Sequence, residues 1–421
     1  MNYFRQLYQL MLAGAQAQAR WELEMSTNIL HSRKRRYFLL LLILPVLLGG
    51  IAAFAGDLEL PSVIGGKSAY MPSHYTTFIF VCAIFVGLAA GLITGCIGAG
   101  GGFIIAPALM SFGVKGILAV GTDLFHIFAK AIMGSVLHKK LGNICVGLAL
   151  TFLVGSITGA TVGGVLNRWL YDFNPVLSDM FITSVYVIIL GFLAFYAMKD
   201  YLTTRSGMKK SGKTDSPESI SPMGAKLQAI NLPPMLTFDK GITPGGRKIS
   251  ALFLVISGFI VGMAAAIMGV GGGFLTFPIF VYGLGVSSMT TVGTDIFQII
   301  FTAGYAALTQ YALYGFVFYT LALGMLLGSL IGVQMGSLIT RVVPGYLIRG
   351  FYALAVTAGF VNRFFALPSK LDSMGYIDIS KSTGTILNSI GNTLFFVTIG
   401  AFTVWVLYIF FTHLNELRSE D

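Results

Sequence analysis

The chain has 421 residues, 55% of them hydrophobic and 10% charged, and carries a formal net charge of +10. A soluble domain holds about a quarter charged residues, so this composition excludes one and indicates a polytopic, all-α membrane protein. Nor does the basic excess mark a nucleic-acid partner, because Lys and Arg cluster in a few segments between apolar runs, the pattern that sets membrane orientation.

Residues 1–36 read as a cytoplasmic N-terminal segment. Phe4, Leu7, Tyr8 and Met11 recur at helical spacing, which predicts a short interfacial helix leading into the basic run Arg33 to Arg36, the other reading being a solvated basic tail. No apolar core with a small-residue cleavage site precedes the first span, so no removable signal is expected. Apolar runs near the roughly 20 residues that span a bilayer follow. They lie near 37–55 (an extra span), 78–97, 117–137, 144–166, 179–198, 250–268, 292–313, 316–337, 346–366 and 390–412 (a C-terminal span).

The second run ends in Gly98-Ala99-Gly100-Gly101-Gly102-Phe103 and the sixth in Gly269-Val270-Gly271-Gly272-Gly273-Phe274, each with a proline four residues beyond the phenylalanine. Each glycine costs roughly 1 kcal/mol against Ala in a helix, so the expected structure is a broken helix. Shorter apolar pieces near 102–113 and 273–284 restart it. Where a helix restarts, its first amides converge with a partial positive charge, and Gly98, Gly100 to Gly102, Gly269 and Gly271 to Gly273 become candidate anion-binding positions.

These clusters head an internal repeat, 78–198 and 250–366. Val120-Gly121-Thr122-Asp123 matches Val292-Gly293-Thr294-Asp295, and Gly155-Ser156, Gly159 and Gly163 match Gly328-Ser329, Gly332 and Gly336. Small residues every four positions let helices pack closely in lipid. Between the repeats, residues 199–249 form a basic linker with nine Lys/Arg against four Asp/Glu, rich in Ser, Gly and Pro; the expectation is a mobile cytoplasmic segment. With the linker and Arg33 to Arg36 on one side, each repeat needs five crossings and the repeats are inverted. Two re-entrant loops with four crossings per repeat remain the alternative.

Asp123, His126 and Lys130 stand at i, i+3 and i+7, one face of a helix if the segment is helical. Such a group rarely faces lipid. Thr122-Asp123 and Thr294-Asp295 also fit helix caps, a reading held beside a role for both Asp residues in coupling. Gln298 answers His126 and Thr302 answers Lys130, so the halves are chemically unequal, with the positive charge in the first. His138, beside Lys139 and Lys140, is either a headgroup-level helix end or a gating or proton-relay group. The three cysteines, Cys82, Cys96 and Cys145, have no disulfide or metal-ligand spacing. Phe103 and Phe274 occupy the third glycine position of a dinucleotide fingerprint, and no Gly-Lys-Ser/Thr or HExxH motif occurs, so no enzyme and no cofactor is expected.

Two Gly-rich elements ending in proline, each followed by VGT, with His138-Lys139-Lys140-Leu141-Gly142-Asn143 closing one helix, resemble the sulfite/sulfonate exporter TauE/SafE family of bacterial and archaeal permeases. The resemblance covers about 80–200 and 250–366. It implies an inner-membrane, multi-pass secondary transporter, an exporter of sulfite, an organosulfonate or thiosulfate, with H+ as the candidate coupling ion. The substrate would be held by the glycine elements with Thr122, Thr294, Lys130, His126 and Gln298, and coupling would fall to Asp123, Asp295 and His138. A permease for another small anion such as a carboxylate, or an anion channel or sensor subunit, is the alternative. Two departures mark a subgroup: Asp123 and Asp295 stand where many members have Ser, and the second half keeps only Gln310 and Gly315 of the His-basic-Gly-Asn ending.

Overall fold

The computed structural model describes residues 77–97, 101–140, 144–211, 222–239, 246–339, 343 and 345–413. The N-terminal segment 1–36, the extra span 37–55 and the glycine positions Gly98 and Gly100 lie outside them. The first repeat comprises α1 (Thr77–Ile97), α2 (Gly102–Ser111), α3 (Gly116–Lys140), α4 (Val146–Phe173) and α5 (Pro175–Ser211). The linker holds α6 (Pro222–Gln228) and a hairpin of β1 (Met235–Phe238) and β2 (Arg247–Ser250). The second repeat comprises α7 (Ala251–Met268), α8 (Gly273–Pro278), α9 (Ser288–Tyr305), α10 (Tyr319–Ile339) and α11 (Gly345–Ser373); α12 (Lys381–Thr412) follows. Wider π turns extend α8 over Ile279–Leu284 and α9 over Ala306–Tyr311. Among the described residues, seven helices are long and apolar enough to cross a membrane. Phe192, Ile256, Leu327 and Val404 are among the large apolar side chains exposed on their outer faces, the surface a bilayer would cover.

The small-residue stripes set the packing. A Cβ added at Gly155 or Gly159 would overlap the backbone of Val255 or Phe259 on α7, and one at Gly328 or Gly332 the backbone of Ile84 or Leu88 on α1. The partner helices answer with glycines of their own, Gly258 and Gly262 on α7, Gly87 and Gly91 on α1. Each half therefore packs its first helix on the fourth helix of the other half. Residue numbers rise together along α4 and α7 and along α1 and α10, so these pairs are parallel. Along α3 and α9 they run oppositely, Gly121 meeting Tyr311 and Gly304 meeting Phe128. The same holds for α5 and α11, where Gly191 meets Phe360 and Gly350 meets Tyr201.

Each apolar helix breaks at its glycine cluster, as expected from the cost of glycine. Gly101, Gly269, Gly271 and Gly272 have φ of 73°, 80°, 67° and 92°, a left-handed backbone that side chains with a Cβ resist. The carbonyls freed at the end of α7 find side-chain partners. Asn167 Nδ2 donates to Ile267 O at 3.1 Å, the Tyr311 hydroxyl donates to Ala266 O, and the Tyr186 hydroxyl donates to Met268 O. A break at membrane depth requires such partners for the backbone groups it frees.

The linker departs from the expectation of a mobile segment. Phe238 and Ile249 of the hairpin join Leu148, Phe152, Leu254, Phe280 and Leu284 in one buried cluster. Asp239, directly after β1, receives hydrogen bonds from the Ser287 amide at 3.0 Å, the Ser287 hydroxyl at 2.8 Å and the Thr290 hydroxyl at 2.6 Å, closing the start of α9. Composition reports a segment's average polarity; a few apolar residues and one carboxylate decide whether it docks.

Candidate functional site

Asp123, His126 and Lys130 share the inward face of α3, and all three are buried. His126 Nε2 lies 2.8 Å from Ser329 Oγ of α10, and Nδ1 lies 3.5 Å from Asp123 Oδ1. Lys130 Nζ donates to Thr94 Oγ1 of α1 at 3.2 Å. Neither carboxylate oxygen of Asp123 makes a hydrogen bond of good geometry with a described residue. The carboxylate instead faces the start of α2: a Cβ added at Gly102 would lie 3.1 Å from Asp123 Oδ2, and the Ala106 amide and the Lys130 ammonium are its positive neighbours. Buried charge of this kind is costly in any low-dielectric medium unless compensated, and here Lys130 and the Ala106 amide stand nearest to offset it.

The second repeat builds the same arrangement from neutral partners. Gln298 Nε2 donates to Asp295 Oδ1 at 2.9 Å, Thr302 Oγ1 donates to Gln298 Oε1 at 2.7 Å, and Thr302 and Ser156 hydroxyls meet at 2.7 Å. Thr276, one turn into α8, stands beside Asp295. Ser156 of α4 and Ser329 of α10 are thus equivalent groups, each reaching the opposite half. One cluster is saturated; the other keeps an ionisable pair and spare acceptors.

The cap reading of the two Thr-Asp pairs needs correction. Helix α3 starts at Gly116 and α9 at Ser288 with Ser287 as its cap, so both pairs sit a turn or more inside. Their threonines cap other helices. Thr122 Oγ1 accepts from the Phe318 amide before α10 at 3.0 Å, and Thr294 Oγ1 accepts from the Cys145 amide before α4 at 3.1 Å.

Gly101 and Gly272 stand immediately before α2 and α8, without side-chain caps, and Gly102 and Gly273 begin those helices. The two elements touch, since a Cβ at Gly102 would meet Val270 Cα at 2.7 Å, and the Phe103 and Phe274 rings pack at 6.2 Å. At Gly269 an added Cβ would meet Val120 Cα at 2.6 Å, and at Gly271 it would meet Ile127 Cγ2 at 2.7 Å. At these two positions close packing against α3 accounts for glycine before any ligand is invoked. Gly98, Gly100 and the His138 side chain lie outside the described residues. Gln310, the counterpart of His138, accepts from Arg168 at 2.8 Å. Thr94, Ser156, Ser329 and Thr276 were not singled out as site residues; the Gly-Ser pairs of the repeat carried a signal for two of them.

A family model described as Sulfite exporter TauE/SafE matches residues 83–362, two thirds of the chain. The chain belongs to the TauE/SafE family. Two curated relatives carry related names. "Probable membrane transporter protein YjnA" of Bacillus subtilis is 26% identical over 61% of this chain and 89% of its own length. A "Probable membrane transporter protein" of Haemophilus influenzae is 23% identical over 68% of this chain and 98% of its own. No solved structure matches. This TauE/SafE protein is a membrane transporter, a multi-pass integral protein of the plasma membrane. The family match stops at Asn362, so Arg363 and the whole of α12 lie beyond it.

Proposed function

We propose that this TauE/SafE protein is a secondary exporter of a small sulfur-containing oxyanion, sulfite, an organosulfonate or thiosulfate, built from two inverted repeats. The observation that carries the reading is the inequality of the two equivalent clusters. Asp123, His126 and Lys130 retain a buried cation beside a carboxylate with spare acceptors, whereas Asp295, Gln298, Thr302 and Ser156 close on themselves. A single anion then binds off-centre, at Lys130 and the start of α2, where the α2 amides add partial positive charge. Inversion is supported by the antiparallel course of the equivalent pairs α3 with α9 and α5 with α11; repeats of the same orientation would run parallel there.

Coupling follows from competition. Without substrate, Lys130 and Asp123 compensate one another electrostatically. An oxyanion that takes over the ammonium leaves the carboxylate uncompensated, and it takes up a proton. Anion and proton then move together, so export runs down the substrate's own outward gradient, with His138 as the remaining coupling candidate because Asp295 is held by Gln298 and Thr276. The test is sulfite flux in proteoliposomes, with thiosulfate, isethionate and acetate as competitors and with counterflow. Trans-stimulated sulfite flux that falls at least tenfold in Lys130→Met supports the reading. Flux without trans-stimulation indicates a channel, and preferential competition by acetate indicates a carboxylate permease.

A further inference from the structure

A polar cavity lies at the C-terminal end of α2, about 320 Å³ in volume and lined by α2, α5, α11 and α12. Its charged lining consists of Lys115, Arg363 and Lys370 against one carboxylate, Asp179. That carboxylate is already engaged: Oδ1 accepts from the Gly116 amide at 2.8 Å and Oδ2 from Lys370 Nζ at 3.2 Å. Arg363 is buried, with only 4% of its surface exposed, and no carboxylate of a described residue lies within ion-pair distance of it. Its Nε donates to Asn362 Oδ1 at 2.7 Å, and Nη2 donates to Ser111 Oγ at 2.9 Å and Pro107 O at 3.2 Å. These bonds fix the plane of the guanidinium and leave Nη1 without a bond to a described residue, in a side chain that lines the cavity. A buried cation held by neutral acceptors alone is expensive unless an anion joins it.

We propose that this cavity binds a small organic oxyanion, a carboxylate or sulfonate, at a site separate from the glycine elements. The oxyanion head takes Nη1 of Arg363 together with the Lys370 ammonium, two charge-assisted donors. Asn388 and Asn392 of α12 line the same space and supply amides for a polar tail, while Met110, Val114 and Ala366 supply an apolar wall. A volume of this size is at the small end of ligand pockets. Arg363 meets α2 at Pro107 and Ser111, whereas Asp123 faces Gly102 and Ala106, so the two sites lie along one helix, and neither Asp123 nor Lys130 lines the cavity. Arg363, Lys370, Asn388 and Asn392 all lie beyond the residues that the family model matches.

The experiment uses the full-length protein in nanodiscs, with Cys82, Cys96 and Cys145 replaced by Ala and Asn388→Cys added. Labelling rates are measured with a sulfonate-bearing and a trimethylammonium-bearing methanethiosulfonate of equal reach, with and without isethionate or acetate. The expected result is at least tenfold faster labelling by the sulfonate reagent, protection by millimolar isethionate or acetate, and loss of both effects in Lys370→Gln and Arg363→Gln. Should Arg363→Gln fail to fold, Lys370→Gln and Lys115→Gln decide. Both effects must persist in Lys130→Met, which separates this site from the proposed transport site. Equal labelling rates in the parent protein, no protection, or unchanged protection in Lys370→Gln would overturn the proposal.

Discussion

At the scale of single residues, the position of Lys130 and Asp123 was legible from the spacing alone, because i, i+3 and i+7 can only share one helix face. Their partners were not. Ser329 lies 203 residues from His126, and the amide that Thr122 caps lies 196 residues away, distances at which no local pattern carries information. The coupling scheme makes a prediction at this scale. In that scheme anion binding is linked to proton uptake by Asp123, so affinity should rise as pH falls, and Asp123→Asn should flatten that dependence. Asp295→Asn should leave it intact, because Gln298 and Thr276 already occupy that carboxylate. Uptake against pH for the three proteins is the measurement, and three coincident curves would end the coupling scheme. A second prediction concerns Thr122 and Thr294. Replacing either by Val keeps the shape but strands a buried amide, at a cost of about 1–3 kcal/mol, read as a lowered unfolding temperature in nanodiscs.

The helices and their breaks were readable because hydropathy and glycine cost act locally. Runs near 78–97 and 250–268 correspond to α1 and α7 within a residue or two. The hairpin of 235–250 was hidden, since its role depends on Phe238, Ile249 and Asp239 finding a cluster and a helix start formed elsewhere in the chain. Arg363 was hidden for another reason: it sits inside an apolar run, where two charges, Arg349 and Arg363, among many apolar residues leave the mean hydropathy high. The glycine stripes permit a sharp comparison between helices. Gly155→Ala and Gly328→Ala place a methyl group against the facing helix backbone and should destabilise by about 2 kcal/mol or more. At Gly400 of α12 an added Cβ meets nothing within 4 Å, so Gly400→Ala should be neutral or slightly stabilising. Thermal unfolding of the three variants side by side checks this, and equal shifts would mean that the stripes do not set the packing.

For the molecule as a whole, the proposed inversion carries a topological prediction. With the native cysteines removed, Ser216→Cys in the linker should react with an impermeant maleimide only in inside-out vesicles, and Ser62→Cys only in right-side-out cells; labelling of Ser216→Cys from outside would return the re-entrant alternative. The exchange of first and fourth helices between halves has a further consequence, in time. During synthesis α1 is complete at Ile97 while α10 begins only at Tyr319, and at about 5–20 residues per second the wait is roughly 10–45 s. Throughout that interval Gly87 and Gly91 lack the backbone of Met325 and Ser329 on which they pack in the finished protein. A half of this protein is therefore one subunit of a dimer whose second subunit follows on the same ribosome. The fragments 1–211 and 222–421, made as separate chains in one cell, should find each other and copurify, whereas either alone should be degraded. The linker then acts as a tether that sets the local concentration of the second half.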